Sequence, residues 1–195
     1  MLDDLVDLHD RFFRRLEAAL DGWFMGLFTR FAFAGVLLVY FWNAALTKLG
    51  SGLFAIVQLS PGAYMQIVPG PMEAAGYSPS ALSVHHHLIV HAGTYAELVL
   101  PALIVLGLFT RIAALGMIVF VAVQSYVDIV FHGADEQTIG ALFDRFPNAA
   151  IVDQRTLWLV PLVYLVVKGA GAISLDHVLA RRFKDPLDEP LPAFR

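Results

Sequence analysis

The side chains in this sequence that could do chemistry lie within long apolar stretches. Polar and ionisable groups are costly inside a membrane, and they usually face the interior of a helix bundle or a water-filled cavity. The residues that stand out are Asn43, Lys48, His85, His86, His87, His91, Tyr95, Glu97, Gln124, Asp128 and His132. They belong to three different apolar stretches, and convergence from three helices is better evidence for a site than any single residue.

Helical spacing places several of these residues on shared stripes, because side chains four residues apart lie on the same face of a helix. The two stripes are His87, His91 and Tyr95, and Gln124, Asp128 and His132. Glu97 lies deeper, roughly 15 Å along the helix from the histidines. A carboxylate at that depth is either protonated, since desolvation disfavours its charged form, or paired with a cation such as Lys48.

One chemistry that fits these residue types is the binding of a quinone or quinol. Histidine and carboxylate side chains can hydrogen-bond the head-group oxygens and exchange protons with them. In this interpretation Glu97 and Asp128 handle the protons. The residues expected to contact the head group are His87, His91, Tyr95, Gln124, Asn43 and Lys48.

Two other interpretations remain open for the same residues. A metal site would use His87 and His91, whose spacing lets two imidazoles reach one ion, together with His132. A haem would need axial histidines on facing helices, such as His87 or His91 with His132. In a purely structural interpretation, residues 85–87 cap a helix start at the wet interface and Asp128 is bonded by a nearby tyrosine.

The composition indicates an integral membrane protein. Of the 195 residues, 58% are hydrophobic and only 15% are charged, whereas soluble domains have about 25% charged residues. The net charge of −4 provides no basic field for nucleic acid. The chain has no cysteine, which excludes a disulfide framework, a thiol nucleophile and an iron–sulfur cluster.

Four apolar stretches approach the length of about 20 residues that a membrane helix needs. They predict an all-α membrane protein, a bundle of four transmembrane helices at roughly 28–47, 86–109, 112–131 and 156–175. A fifth uncharged stretch, between Lys48 and Glu73, is interrupted at Pro61 and Pro69 and cannot form one continuous helix. We expect a short amphipathic helix near 51–60 there.

The ends of the chain differ from this membrane domain, which is predicted over 28–182. Apolar residues recur at helical spacing in residues 1–27, with charged residues between them. This pattern predicts an N-terminal amphipathic helix in the membrane interface, either as a surface anchor or as a docking element for a partner. The proline-rich tail, 183–195, is predicted to be extended.

Orientation follows from the lysines and arginines, which favour the cytoplasmic side. With four spans both termini share one side. That side carries Arg11, Arg14, Arg15, Arg30, Arg111, Arg181, Arg182, Lys184 and Arg195, against Lys48, Arg145 and Arg155 on the other. Both termini are therefore predicted in the cytoplasm, and 48–85 and 132–155 form the outer face. The polar residues of the three helices are then expected at the outer end of the bundle, where a quinone or quinol pocket would lie.

Three short motifs in order resemble the DoxX family of small four-helix bacterial membrane proteins, related to DoxD of thiosulfate:quinone oxidoreductase. The first stretch ends FWNAALTKLG, similar to the family's Gly-x-x-Lys-Leu ending, with Ala45 in place of the glycine. Glu97 precedes a Leu-rich helix that ends Gly107-Leu-Phe-Thr-Arg111. The segment from Lys168 to Asp176 is similar to the family's Gly-x-Gly-x-x-Ser-Leu-Asp close.

The resemblance covers residues 28–182 and implies a multi-pass protein of the bacterial inner membrane. It also implies a small subunit linked to respiratory quinone chemistry, sulfur oxidation or membrane oxidoreductase complexes. Its partners would be the lipid bilayer and other membrane subunits. One departure is Asp153-Gln-Arg-Thr-Leu-Trp158, where the family usually has a Trp-Glu pair.

Overall fold

The computed structural model describes residues 2–52 and 55–183, and the regular secondary structure of that part is helical. The helices are α1 (Leu2–Leu20), α2 (Phe24–Lys48), α3 (Pro61–Ile67), α4 (Pro69–Ala74), α5 (Val84–Leu106), α6 (Thr110–Val130), α7 (Glu136–Ile139), α8 (Val152–Lys168) and α9 (Leu175–Arg182). The tail predicted to be extended lies outside the described residues, except for Phe183.

Three of these helices, α2, α5 and α6, are long and apolar enough to cross a membrane. A fourth helix, α8, has 17 residues and packs beside them. The stretch predicted as the last span, 156–175, is misplaced at both ends, since α8 begins at Val152 and ends at Lys168. It ends there because Gly169 and Gly171 both take φ of +80°, a conformation that breaks a helix and suits glycine.

The core of the bundle is built where α2, α5, α6 and α8 meet. Phe33, Phe41, Met117 and Leu162 are among its fully buried side chains. Trp158 packs edge-on against Phe41, with 6.0 Å between ring centroids. These contacts hold together the helices that carry Lys48, Glu97 and Asp128.

The segment between α2 and α5 folds over one end of the bundle. The prediction of a helix near 51–60 is wrong. The described residues there form turns, and the helices begin instead at Pro61 and Pro69. Proline suits the first position of a helix because its missing N–H would have no partner there. Tyr64 and Met72 from α3 and α4 are buried in a small cluster with Val90 of α5. We call this end, where α2 and α6 finish, the outer end.

The opposite end, which we call the inner end, is closed by hydrogen bonds around the turn between α5 and α6. Arg30, 5% exposed, donates to the carbonyl oxygens of Val105, at 2.8 Å, and Ile173. Asp176 accepts hydrogen bonds from the backbone N–H groups of Phe109 and Thr110, at 2.6 and 2.9 Å, and thereby caps α6. The C-terminal segment therefore holds the turn in place.

Candidate functional site

A cavity of about 470 Å³ lies between α5 and α6 near the outer end. Apolar residues form most of its walls, and small residues at Gly93 and Gly116 leave room between the two helices. The polar side chains that line it are Lys48, Gln66, Glu97, Gln124, Asp128 and His132. All of them except Gln66 are among the residues that the sequence predicted to converge. Lys48 comes from α2, Glu97 from α5, and Gln124 and Asp128 from α6.

Lys48 and Glu97 form a buried ion pair in the cavity wall. The Nζ atom of Lys48 lies 2.8 Å and 3.0 Å from the two carboxylate oxygens of Glu97. The side chains are only 5% and 6% exposed. Lys48 also donates to the carbonyl oxygen of Ala44 at 3.1 Å, so the last turn of α2 fixes its direction. The sequence predicted that Glu97 is either protonated or paired with a cation, and in the structure it is paired with Lys48.

A second ion pair, between Asp128 and Arg155, joins α6 to α8. Arg155 Nη2 lies 2.5 Å from Asp128 Oδ2, and Arg155 Nη1 donates to Ser125 Oγ at 2.8 Å. The partner of Asp128 is thus an arginine, and the tyrosine expected in the structural interpretation is wrong. Sequence reasoning missed Arg155 because the last span was predicted to start one residue after it.

Gln124 offers an unused hydrogen-bond acceptor beside the cavity. Its Nε2 donates to the hydroxyl of Tyr40 at 3.3 Å. Its Oε1 is buried and has no hydrogen-bond partner within the described residues. A buried acceptor without a donor is costly, so a ligand with an O–H or N–H group would stabilise this arrangement.

The stripe of His87, His91 and Tyr95 does not reach the cavity and instead holds the segment over the outer end. His91 Nε2 lies 3.0 Å from the carbonyl oxygen of Val57, and the Tyr95 hydroxyl donates to the carbonyl oxygen of Ile56. His87 Nδ1 lies 2.7 Å from the Tyr64 hydroxyl. Burial raises the pKa of Tyr64 above its usual value, so this hydroxyl stays protonated at neutral pH.

The remaining predicted residues lie at the rim or away from the cavity. His132 lines its mouth, with Nε2 3.1 Å from the carbonyl oxygen of Gln66 in α3. Asn43 is exposed and is not part of the lining. His132 therefore stands apart from His87 and His91, which bond to other groups.

The DoxX family model matches residues 27–133, which is more than half of the chain. This protein belongs to the DoxX family. No curated protein and no solved structure matches the sequence. The matched range contains α2 from residue 27 onward, all of α5 and α6, and every polar residue of the cavity lining.

The matched motifs of this DoxX protein have different structural roles. Lys48 and Glu97, from the first two motifs, meet in the buried ion pair. Gly107 takes φ of +68°, and a Cβ there would lie 2.7 Å from Ser174 Cβ, so glycine is required for the close turn. The segment from Lys168 to Asp176 lies beyond the matched range and closes the inner end.

The metal interpretation finds no support in the arrangement of the histidines. Within residues 2–52 and 55–183, no group of three or more His, Asp or Glu side chains is placed to hold one ion. His87, His91 and His132, the predicted ligands, each bond to a different part of the outer segment or to its neighbours.

Proposed function

We propose that this DoxX protein is a small integral membrane subunit of a quinone-linked respiratory or oxidoreductase system, and that the cavity between α5 and α6 binds the quinone or quinol head group. The observation that carries the proposal is the lining itself. One buried ion pair, the carboxylate of a second and a free amide acceptor line one cavity with apolar walls. Binding sites for small molecules commonly combine apolar walls with a few placed polar groups, in volumes of roughly 300–1,000 Å³.

The position of the cavity opening favours a lipid-soluble ligand. Ile89, Val119 and Val123 line the cavity and are about half exposed, at 49%, 56% and 56%. They belong to α5 and α6, the helices long enough to cross the membrane, so their exposed sides face lipid. A ligand that arrives by this route must have an apolar body, and the cavity lining requires a polar head.

The residues present fit a quinone or quinol head group. When bound, such a group supplies oxygens that take up or release protons together with electrons. The three N–H groups of Lys48 bond to Glu97 and Ala44, and its charge can stabilise negative charge on an oxygen, while Gln124 Oε1 can accept from a quinol hydroxyl. Glu97 and Asp128 are the carboxylates that can take up protons. We expect Asp128 to exchange them with the outer side, because it is 31% exposed whereas Glu97 is 6% exposed.

Oxidation or reduction of a quinone needs a second electron carrier. Thiols of this chain cannot serve as that carrier, because the chain has no cysteine. We propose that another membrane subunit gives or receives the electrons.

In the same proposal α8 is the fourth span. Its 17 residues cover about 25 Å, close to the thickness of the hydrocarbon core, roughly 30 Å. Both termini would lie in the cytoplasm of a bacterial inner membrane.

The proposal is tested by measuring quinone binding to the purified protein. The protein is extracted in mild detergent, its lipids are analysed for quinones, and titration with a short-chain ubiquinone or menaquinone analogue is followed by tryptophan fluorescence. The substitution Gln124→Leu removes the free acceptor. Loss of a hydrogen bond in a dry site costs about 1–3 kcal/mol, so we expect quinol affinity to fall about fivefold or more.

The matched control is Gln137→Leu, the same chemical change at an exposed position of α7 outside the cavity lining. This variant should bind the analogue as the natural protein does. Absence of quinone from the lipid extract together with no saturable quenching would refute the proposal. Equal losses in both variants would place the ligand elsewhere.

A second candidate function is a non-catalytic role in assembly, and the structure of α1 favours it. No residue of this helix is buried. Leu5, Leu8 and Phe12 are 59%, 62% and 59% exposed, so α1 has an apolar surface without a partner within the described chain. An assembly subunit would dock through it, or the helix would anchor the protein in the membrane surface. Quinol oxidation by the isolated protein would exclude a purely structural role.

A further inference from the structure

We infer that a pocket at the inner end binds the phosphate group of an anionic lipid. The pocket has a volume of about 700 Å³ and lies between the first turn of α6, the end of α8 and the start of α9. Three basic side chains line it: Arg111, Lys168 and His177. It is at the opposite end of the bundle from the cavity, so this inference does not depend on quinone binding.

The two strong cations of this pocket have no partner among residues 2–52 and 55–183. Arg111 and Lys168 are exposed, and neither makes a hydrogen bond or an ion pair within the described residues. Arg111 is the second residue of α6 and Lys168 is the last of α8. Residues at the ends of membrane helices lie at the level of lipid head groups, where cations attract anionic lipids.

The carboxylate in the same lining does not cancel this positive charge. Asp176 lines the pocket, but its two oxygens accept hydrogen bonds from the N–H groups of Phe109 and Thr110. Its charge also interacts with the buried guanidinium of Arg30. With Asp176 balanced by Arg30, the charges of Arg111 and Lys168 remain for a ligand.

The turn after α8 adds a backbone N–H donor to the pocket and leaves space for a ligand beside Arg111. A Cβ on Gly169 would lie 3.4 Å from Arg111 Nε, so the guanidinium rests against a backbone without a side chain. The N–H group of Ala170, which also lines the pocket, has no acceptor within the described part of the chain. Backbone N–H groups in such turns are suitable anion donors.

The experiment uses native mass spectrometry of the full chain in detergent. The probes are dioleoylphosphatidylglycerol, which is anionic, dioleoylphosphatidylcholine, which is zwitterionic, and inorganic phosphate. We expect the first phosphatidylglycerol to bind at least about tenfold more tightly than phosphatidylcholine. The double substitution of Arg111→Gln with Lys168→Gln should remove this preference, because each lost charge-assisted hydrogen bond costs about tenfold or more. Both side chains are exposed, so the variant should fold.

The matched control is the double substitution of Arg181→Gln with Arg182→Gln, which removes two positive charges from exposed positions of α9 outside the pocket. It should keep the preference for phosphatidylglycerol. Three results would overturn the inference: equal binding of both lipids, retention of the preference in the double variant, or an equal loss in the control. If inorganic phosphate competes fully at equal concentration, the site takes a soluble phosphate group and the lipid assignment is wrong.

Discussion

Lys48 and Glu97 bury two opposite charges in one wall of the cavity. Removing both charges from water is expensive, and their attraction offsets this only when the geometry is good. Both carboxylate oxygens lie within 3.0 Å of the Lys48 ammonium, and a carbonyl oxygen accepts a further hydrogen bond from it. The pair is thus well bonded, yet replacement of a buried ion pair by apolar residues of similar size is often neutral or stabilising. We therefore propose that the ligand of the cavity, rather than the fold, requires this pair.

A double-mutant cycle separates the structural role of this pair from its functional role. Lys48→Met leaves a buried carboxylate without a partner, and Glu97→Leu leaves a buried ammonium. Each single variant should lose about 3–5 kcal/mol of unfolding free energy. The double variant should recover most of that loss, because no unpaired charge remains, but it should not bind the quinone analogue. Denaturant unfolding in detergent and the fluorescence titration measure the two properties.

A matched control for the cycle is Leu46→Met, a lipid-facing change in the same turn of α2, 58% exposed in the natural protein. It should leave both measurements unchanged. If the double variant folds and still binds the analogue with natural affinity, the pair has no role in the site. If the double variant is no more stable than the single ones, the ion pair itself is what the fold needs.

At the scale of elements, the segment between α2 and α5 forms the roof of the cavity. Gln66 and Ile67 at the end of α3 both line it. Ile67 packs against Gly93 of α5, where a Cβ would lie 3.2 Å from Ile67 Cδ1. His132 bonds to the carbonyl oxygen of Gln66 from the other side. The position of α3 therefore sets how open the outer mouth of the cavity is.

The sequence predicted which residues gather at the outer end but not which face of α5 points at α6. Lys48, Glu97 and Gln124 converge as expected because the order of the helices brings their outer parts together. His91 shares a stripe with Tyr95, as its spacing requires, but that stripe faces the segment above α5. Rotation of a helix about its axis is set by packing, here by buried residues such as Val90, which an apolar stretch alone does not identify.

The outer segment should loosen when its hydrogen bonds to α5 are removed. His91 has both ring nitrogens near carbonyl oxygens, Nδ1 to His87 at 2.8 Å and Nε2 to Val57 at 3.0 Å. Tyr95 bonds to Ile56 next to it. The double substitution of His91→Leu with Tyr95→Phe leaves these two carbonyls of the segment without donors. We expect amide exchange in residues 55–58 to become about tenfold faster or more, since each lost bond contributes about 1 kcal/mol.

The comparison for this experiment is His85→Ala, which removes an exposed imidazole that bonds only to Ser83 and stacks on His86. Exchange in residues 55–58 should not change in that variant. Unchanged exchange in the double variant would show that these bonds do not hold the segment. Exchange that also quickens in α6 would mean that the bundle itself has been destabilised.

At the scale of the whole molecule, charge is divided between the two ends of the bundle. The inner end carries Arg111, Lys168 and the basic end of α9, which make no ion pair within the described residues, whereas two cations of the outer end, Lys48 and Arg155, are in ion pairs with Glu97 and Asp128. An inner end rich in unpaired cations is the pattern of the cytoplasmic side. The charge asymmetry on which the predicted orientation rests is thus also the source of the charge that we propose for the lipid pocket.

The absence of cysteine allows a direct test of this orientation, because any introduced cysteine is the only thiol in the chain. Three exposed positions suffice: Ser80 before α5, Asn148 before α8 and Ala180 in α9. In spheroplasts, a membrane-impermeant maleimide should label Ser80→Cys and Asn148→Cys, and it should label Ala180→Cys only after the membrane is opened. Asn148 and Ala180 flank α8, so opposite labelling of these two would establish α8 as a span. Labelling of both from outside would leave α8 on the outer surface and place the C-terminus there, against the four-span arrangement.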